Sequence, residues 1–126
     1  MIFARVFKAF CTVGCVATVF ATSQATAQST DILGAWVIEA SMSSGNGVMF
    51  ILGKEGNTYT CEFSLGNSEQ SCKIIRTGDR LVIRSTIVRA SSDYAPDNFS
   101  LKIVGPDRME GDLISHSKHS VVFTRQ

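Results

Sequence analysis

Residues 58–76, TYTCEFSLGNSEQSCKIIR, decide the fold. Tyr59, Cys61, Phe63 and Leu65 alternate with Thr58, Thr60, Glu62 and Ser64. Successive side chains of a β-strand point to opposite faces, so this period of two predicts a strand. Gly66-Asn67 is a hairpin turn signal, and SCKIIR reads as the returning strand. Folding about that turn sets 65 opposite 68, 63 opposite 70, and Cys61 opposite Cys72. Directly opposed residues lie within the Cα separation that a disulfide can span. A two-residue loop makes 61/72 a hydrogen-bonded pair. A four-residue loop, 65 to 68, makes it a non-hydrogen-bonded one. Both remain open at this stage.

A metal site usually needs three or four ligands at recognisable spacing, and two cysteines eleven apart do not supply them. Redox exchange usually runs through CxxC, which the chain lacks. Cys61 and Cys72 are therefore expected to form a structural disulfide. A loop of this size contributes up to about 3 kcal/mol, less where the hairpin persists in the unfolded chain. That is a large share of the roughly 5–15 kcal/mol typical of a small domain.

The same grammar extends in both directions. AWVIEASM alternates Trp36, Ile38, Ala40 and Met42 against Val37, Glu39 and Ser41. SSGNG is a turn cluster, and VMFILG is a nearly continuous apolar strand. KEGN and RTGDR are turns. LVIRSTIV places Leu81, Ile83, Ser85 and Ile87 on one face. RASSDYAPDN, residues 89–98, is the one long connection. FSLKIV, MEGDLIS and SVVFTR supply three more strands, joined by GPDR and HSKH. Eight short strands joined mostly by tight turns predict an all-β, antiparallel up-and-down barrel, because closure removes the exposed edges.

The chain opens MIFARVFKAFCTVGCVATVFATSQATAQST. Arg5 and Lys8 precede an apolar run of 13 residues, Ala9 to Ala21, and Ala25 and Ala27 occupy small-residue positions beyond it. This is the layout of a signal peptide, and the run is short of the roughly 20 residues that span a bilayer. Residues 1–27 are thus expected to be removed, leaving 28–126 as one β-barrel domain in the periplasm or outside the cell. Cys11 and Cys15 leave with the signal. Of 12 basic residues, Arg5 and Lys8 leave too, so 10 cations face 11 acidic residues and the net charge is about −1. Such a chain lacks the footprint of a nucleic-acid binder, and no block of like charges marks a membrane-surface patch. No nucleic-acid partner and no stable membrane insertion after cleavage are expected.

The ends of the barrel domain carry a resemblance. LGAW at the first strand and FTR at the last are similar to the pattern of the calycin superfamily. That group holds lipocalins, fatty-acid-binding proteins, avidins and bacterial metalloprotease inhibitors. The resemblance implies a lipocalin-like barrel in which Gly34 and Trp36 close one end and Arg125 packs on the Trp36 ring, a contact that a guanidinium and an indole favour.

Catalytic chemistry is not evident. His116 and His119 in HSKH have no third ligand nearby and read as solvated turn residues. Asp93 and Asp97 flank Tyr94, as turn aspartates do. GxSxG, HExxH and phosphate-binding glycine loops are absent from the sequence. The chain is expected to be no enzyme and to need no cofactor or metal. Its expected role is binding a small hydrophobic ligand in the barrel, through Tyr59, Phe63, Phe99 and Tyr94. The alternative is protein–protein binding, such as inhibition of a secreted protease, through the arm at residues 28–33 or the loop at 89–98. An eight-stranded barrel is either filled by its own side chains or holds one small ligand. The large inward candidates, Trp36, Ile38, Met49 or Phe50, Tyr59, Phe63, Ile74, Leu81, Ile83, Phe99, Leu101, Leu113 and Phe123, favour a filled core.

Overall fold

A computed structural model describes residues 30–42 and 46–126. The expected signal peptide and its cleavage site lie outside these residues, as does part of the SSGNG turn. Eight strands follow in order: β1 (Gly34–Ala40), β2 (Asn46–Glu55), β3 (Thr58–Leu65), β4 (Ser68–Thr77), β5 (Arg80–Arg89), β6 (Asn98–Gly105), β7 (Arg108–Ile114) and β8 (Lys118–Arg125). Each pairs antiparallel with its neighbours in sequence, and β1 pairs with β8 to close the barrel. The fold is the eight-stranded, all-β, antiparallel barrel that the alternation predicts.

The decisive hairpin has the expected register. Leu65 faces Ser68, Phe63 faces Gln70, and Cys61 faces Cys72 across the two-residue loop at 66–67. The cysteines form a disulfide, with their Cα atoms 4.9 Å apart. Both are buried, so the staple lies on the inner face of the wall.

Burial follows the period of two around the barrel. Trp36, Ile38, Met49, Tyr59, Phe63, Ile74, Leu81, Ile83, Phe99, Leu101, Leu113 and Phe123 are all buried. Met49 rather than Phe50 turns inward, and Phe50 is 46% exposed. Phe99 packs edge-to-face on Phe63 and on Phe123, with ring centroids 5.4 and 5.2 Å apart. This is the arrangement that ring quadrupoles favour. Aromatic and branched side chains thus fill the middle of the barrel. Gly111 lets β7 approach β6 closely, since a Cβ there would lie 1.9 Å from the Ser100 carbonyl oxygen.

The two ends differ. At one end Trp36 and Ile32 are fully buried, and the Trp36 indole N–H donates to the Ile32 carbonyl at 2.9 Å. Arg125 faces Trp36 across the β1–β8 pairing, and its guanidinium lies 4.3 Å from the ring centroid. It also donates to the carbonyls of Asp31, Leu33 and Pro106 and to the Asp107 carboxylate, which lies 3.2 Å away. Gly34 has φ of 116°, a backbone conformation other residues rarely adopt, and it stands under the Arg125 side chain. One arginine therefore ties three segments over the end of the barrel. The opposite end is the mouth, and it is built differently.

Candidate functional site

The wall is incomplete beside the mouth. β5 runs to Arg89, but it pairs with β6 only over Arg80–Ile83, against Lys102–Phe99. Past Ile83 the two strands part, and the backbone N–H of Ser85 donates to the Asn98 side chain at 2.8 Å instead of to a β6 carbonyl. The connection at 90–97 lies beside this gap.

A buried polar cluster pins the loop. Asp97, Gln70 and Ser68 are each 1% exposed. The Gln70 amide nitrogen donates to the Asp97 carboxylate at 2.7 Å and to the Ser68 hydroxyl at 2.9 Å. The Gln70 carbonyl accepts the Asp97 backbone N–H at 3.0 Å. The Tyr94 hydroxyl donates to the same Asp97 carboxylate oxygen, also at 3.0 Å. Ser68 donates in turn to the Leu65 carbonyl. Gln70 thus grips Asp97 with both ends of its amide, one on the carboxylate and one on the main chain. Burial raises the Tyr94 phenol above its ordinary value; the Ser68 hydroxyl opposes the rise and the Asp97 carboxylate adds to it. The phenol is therefore held as a hydrogen-bond donor.

The partners of Asp97 are neutral. A buried carboxylate is costly unless it is paired or well hydrogen-bonded, and its donors here come from a side-chain amide and a phenol. Another polar atom nearby is unsatisfied: the Ser85 hydroxyl is buried and has no hydrogen-bond partner. The closed loop thus covers an apolar interior with a hydrogen-bonded polar latch, beside one buried hydroxyl that has no partner.

The four aromatics expected to bind ligand do not form one cluster. Phe63 and Phe99 meet in the mid-barrel core. Tyr94 belongs to the latch at the mouth. Tyr59 sits at the closed end, where its hydroxyl accepts from Arg76 at 3.3 Å and Lys54 lies 5.8 Å from its ring. Sequence reading missed Ser68 and Gln70. Gln70 was detectable as a polar residue at an inward position of an alternating strand. Of the arm at 28–33, residues 28 and 29 lie outside the described residues. Its residues 31–33 are held to the barrel by Arg125 and by burial of Ile32. His116 is exposed, and the His119 ring lies 2.8 Å from the Ser117 hydroxyl. No group of three metal-ligating side chains occurs among the described residues.

No protein-family profile matches the chain, and no curated protein matches it. Solved structures do. A redesigned β-barrel is 19% identical, with a TM-score of 0.63 over 75% of this chain and 91% of its own. A de novo designed fluorescence-activating β-barrel is 21% identical, with a TM-score of 0.57 over 79% of this chain and 97% of its own. At such identities the likeness is one of fold: a small closed eight-stranded barrel, consistent with the lipocalin-like architecture.

Proposed function

We propose that this chain is a non-catalytic, extracytoplasmic binding protein whose site is the latched mouth of the barrel. It takes one small molecule with an apolar body and a planar polar head, either a carboxylate or a carboxamide. The observation behind this reading is the two-point grip of Gln70 on Asp97. The amide presents one donor and one acceptor on the inner wall, and Asp97 occupies both. A ligand head bearing an acceptor, and in a carboxamide a donor as well, replaces Asp97 once the loop swings out. Its apolar body then meets the Leu65 and Ile87 side chains beneath. Opening breaks these hydrogen bonds but returns the buried Asp97 carboxylate to water, which offsets part of the cost. The disulfide is compatible with an oxidising compartment outside the cytoplasm.

The test uses N-phenyl-1-naphthylamine, which brightens in apolar surroundings, with decanoate, decanamide and decane as competitors. A saturable one-to-one signal is expected, displaced by decanoate or decanamide far better than by decane. Gln70→Leu should keep the probe signal and erase that preference. Absence of a saturable signal, or equal competition by all three, would sink the proposal.

A further inference from the structure

Folding assembles a charged face that the sequence does not announce. On the outer wall Lys73 of β4 stands directly opposite Arg84 of β5. Four residues further along β5 toward the closed end, Arg80 stands directly opposite Lys102 of β6. All four are exposed. Like charges directly opposed across strands are destabilising, and this wall carries two such pairs on three adjacent strands. Their rows lie about 13 Å apart along β5, beyond the screening length of about 10 Å at moderate salt, so they act as two adjacent like-charge pairs on one face.

The other cations of residues 30–126 have partners. Arg89 pairs with Glu69, Arg108 with Glu110, Lys118 with Asp112 and Arg125 with Asp107. Arg76 donates to Tyr59 and Gly78, and Lys54 lies over the Tyr59 ring. Among the described residues, the side chains of Lys73, Arg80, Arg84 and Lys102 alone of the cations make no ion pair, hydrogen bond or ring contact. The acidic groups nearest in register are Glu62, opposite Ser71, and Glu110, opposite Lys102, with Asp79 in the adjoining turn. Glu110 is engaged by Arg108.

Between the two cationic rows lies an apolar one. Ile75 stands opposite Val82, and they are 45% and 43% exposed; Val104, beyond Lys102 on β6, is 48% exposed. The four cations and the branched apolar side chains beside them share the outer wall of the barrel. Such a face matches a surface that is anionic at its outer layer and apolar just beneath.

We infer that the outer face of β4–β6 docks the protein peripherally on anionic phospholipid headgroups. Lys73, Arg80, Arg84 and Lys102 meet the phosphates, and Ile75 and Val82 settle among the headgroups. The like-charge pairs, which cost stability in the free protein, are relieved on the anionic surface. The face shares β5 with the gap beside the mouth, so a docked barrel keeps that side near the bilayer. The inference does not depend on a ligand in the mouth, and its test needs none.

The experiment is flotation of the protein, purified from expression of the full chain, with two kinds of vesicle. One is phosphatidylcholine alone; the other is equal parts phosphatidylcholine and phosphatidylglycerol. Binding to the anionic vesicles only is expected, weakening as salt rises. Each cation removed should lower partitioning about fivefold, and Lys73→Thr with Arg84→Thr about 25-fold. The same double variant should melt no lower than wild type, because it removes an opposed pair; a merely structural role would not couple stronger folding to weaker binding. Arg80→Ser with Lys102→Ser is the second, independent pair. Equal binding to both vesicle types, no binding, or insensitivity to both double variants overturns the inference. So does tight capture by soluble polyglutamate with no flotation, which would assign the face to an acidic protein.

Discussion

Replacing Arg125 by Ala should be among the most damaging changes to a partly exposed residue. The guanidinium donates to carbonyls of Asp31 at 2.6 Å, Leu33 at 3.0 Å and Pro106 at 3.0 Å, and it covers the Trp36 ring. Hydrogen bonds from charged donors are worth about 1.5–3 kcal/mol each, and a cation over an indole about 0.5–2 kcal/mol. The side chain keeps 28% of its surface in water, and the freed carbonyls can accept water. Discounting by roughly half or more leaves a loss of about 2–4 kcal/mol. For a domain of this size that lowers Tm by roughly 10–30 °C. The chain holds a single tryptophan, so Trp36 emission reports the same event without a label. The fully buried ring should shift to the red as water reaches it. Arg125→Lys keeps a charge over the ring but loses the fork, and should fall between Ala and wild type. Thermal melts followed by circular dichroism and Trp36 fluorescence make the comparison. A Tm within about 2 °C of wild type, with unmoved emission, would refute the reasoning.

Three other outcomes follow from the same structure. Cys61→Ser with Cys72→Ser should lower stability by up to about 3 kcal/mol in denaturant titration while the far-ultraviolet spectrum is kept; unaltered stability would mean the hairpin needs no staple. Phe123→Ala removes a fully buried ring packed on Phe99 and should cost about 3–5 kcal/mol, whereas Phe50→Ala on the outer wall should cost far less; similar losses would contradict the filled core. Burial raises the Tyr94 phenol, so the folded state favours its protonated form, and this contribution is complete below about pH 10 and is lost as pH rises through the folded value. Tyr94→Phe should therefore flatten the loss of stability above pH 10, and parallel alkaline titrations of variant and wild type would count against the latch.

Much of this was legible in the chain. The alternation in TYTCEFSL, with Gly66-Asn67 at its end, sets strand, register and disulfide together, because one turn and a period of two leave a single pairing. VMFILG was less readable. Its outward residues Val48, Phe50 and Leu52 are as apolar as its inward Met49 and Ile51, so polarity could not give the phase. Gln70 was placed inward by the register opposite Phe63, yet its role needs Asp97, 27 residues away, and the intervening loop sets no register. The basic face divides the same way. A turn at Gly78-Asp79 implies the Lys73–Arg84 pair, since 77/80, 75/82 and 73/84 then follow in step. Arg80 and Lys102 meet only because β6 returns from the long loop at one particular offset, which no local signal encodes.

Native mass spectrometry tests the proposed binding role most directly. The protein purified from its host, and a second sample incubated with decanoate, are weighed in native and then in denaturing conditions. A latched mouth that accepts an amphiphile predicts a one-to-one mass increment on the folded protein that vanishes on unfolding, in the decanoate sample and in any portion that retains a natural cargo. Identical native and denatured masses in both samples would contradict it, and would leave a barrel filled by its own side chains with a loop that stays shut.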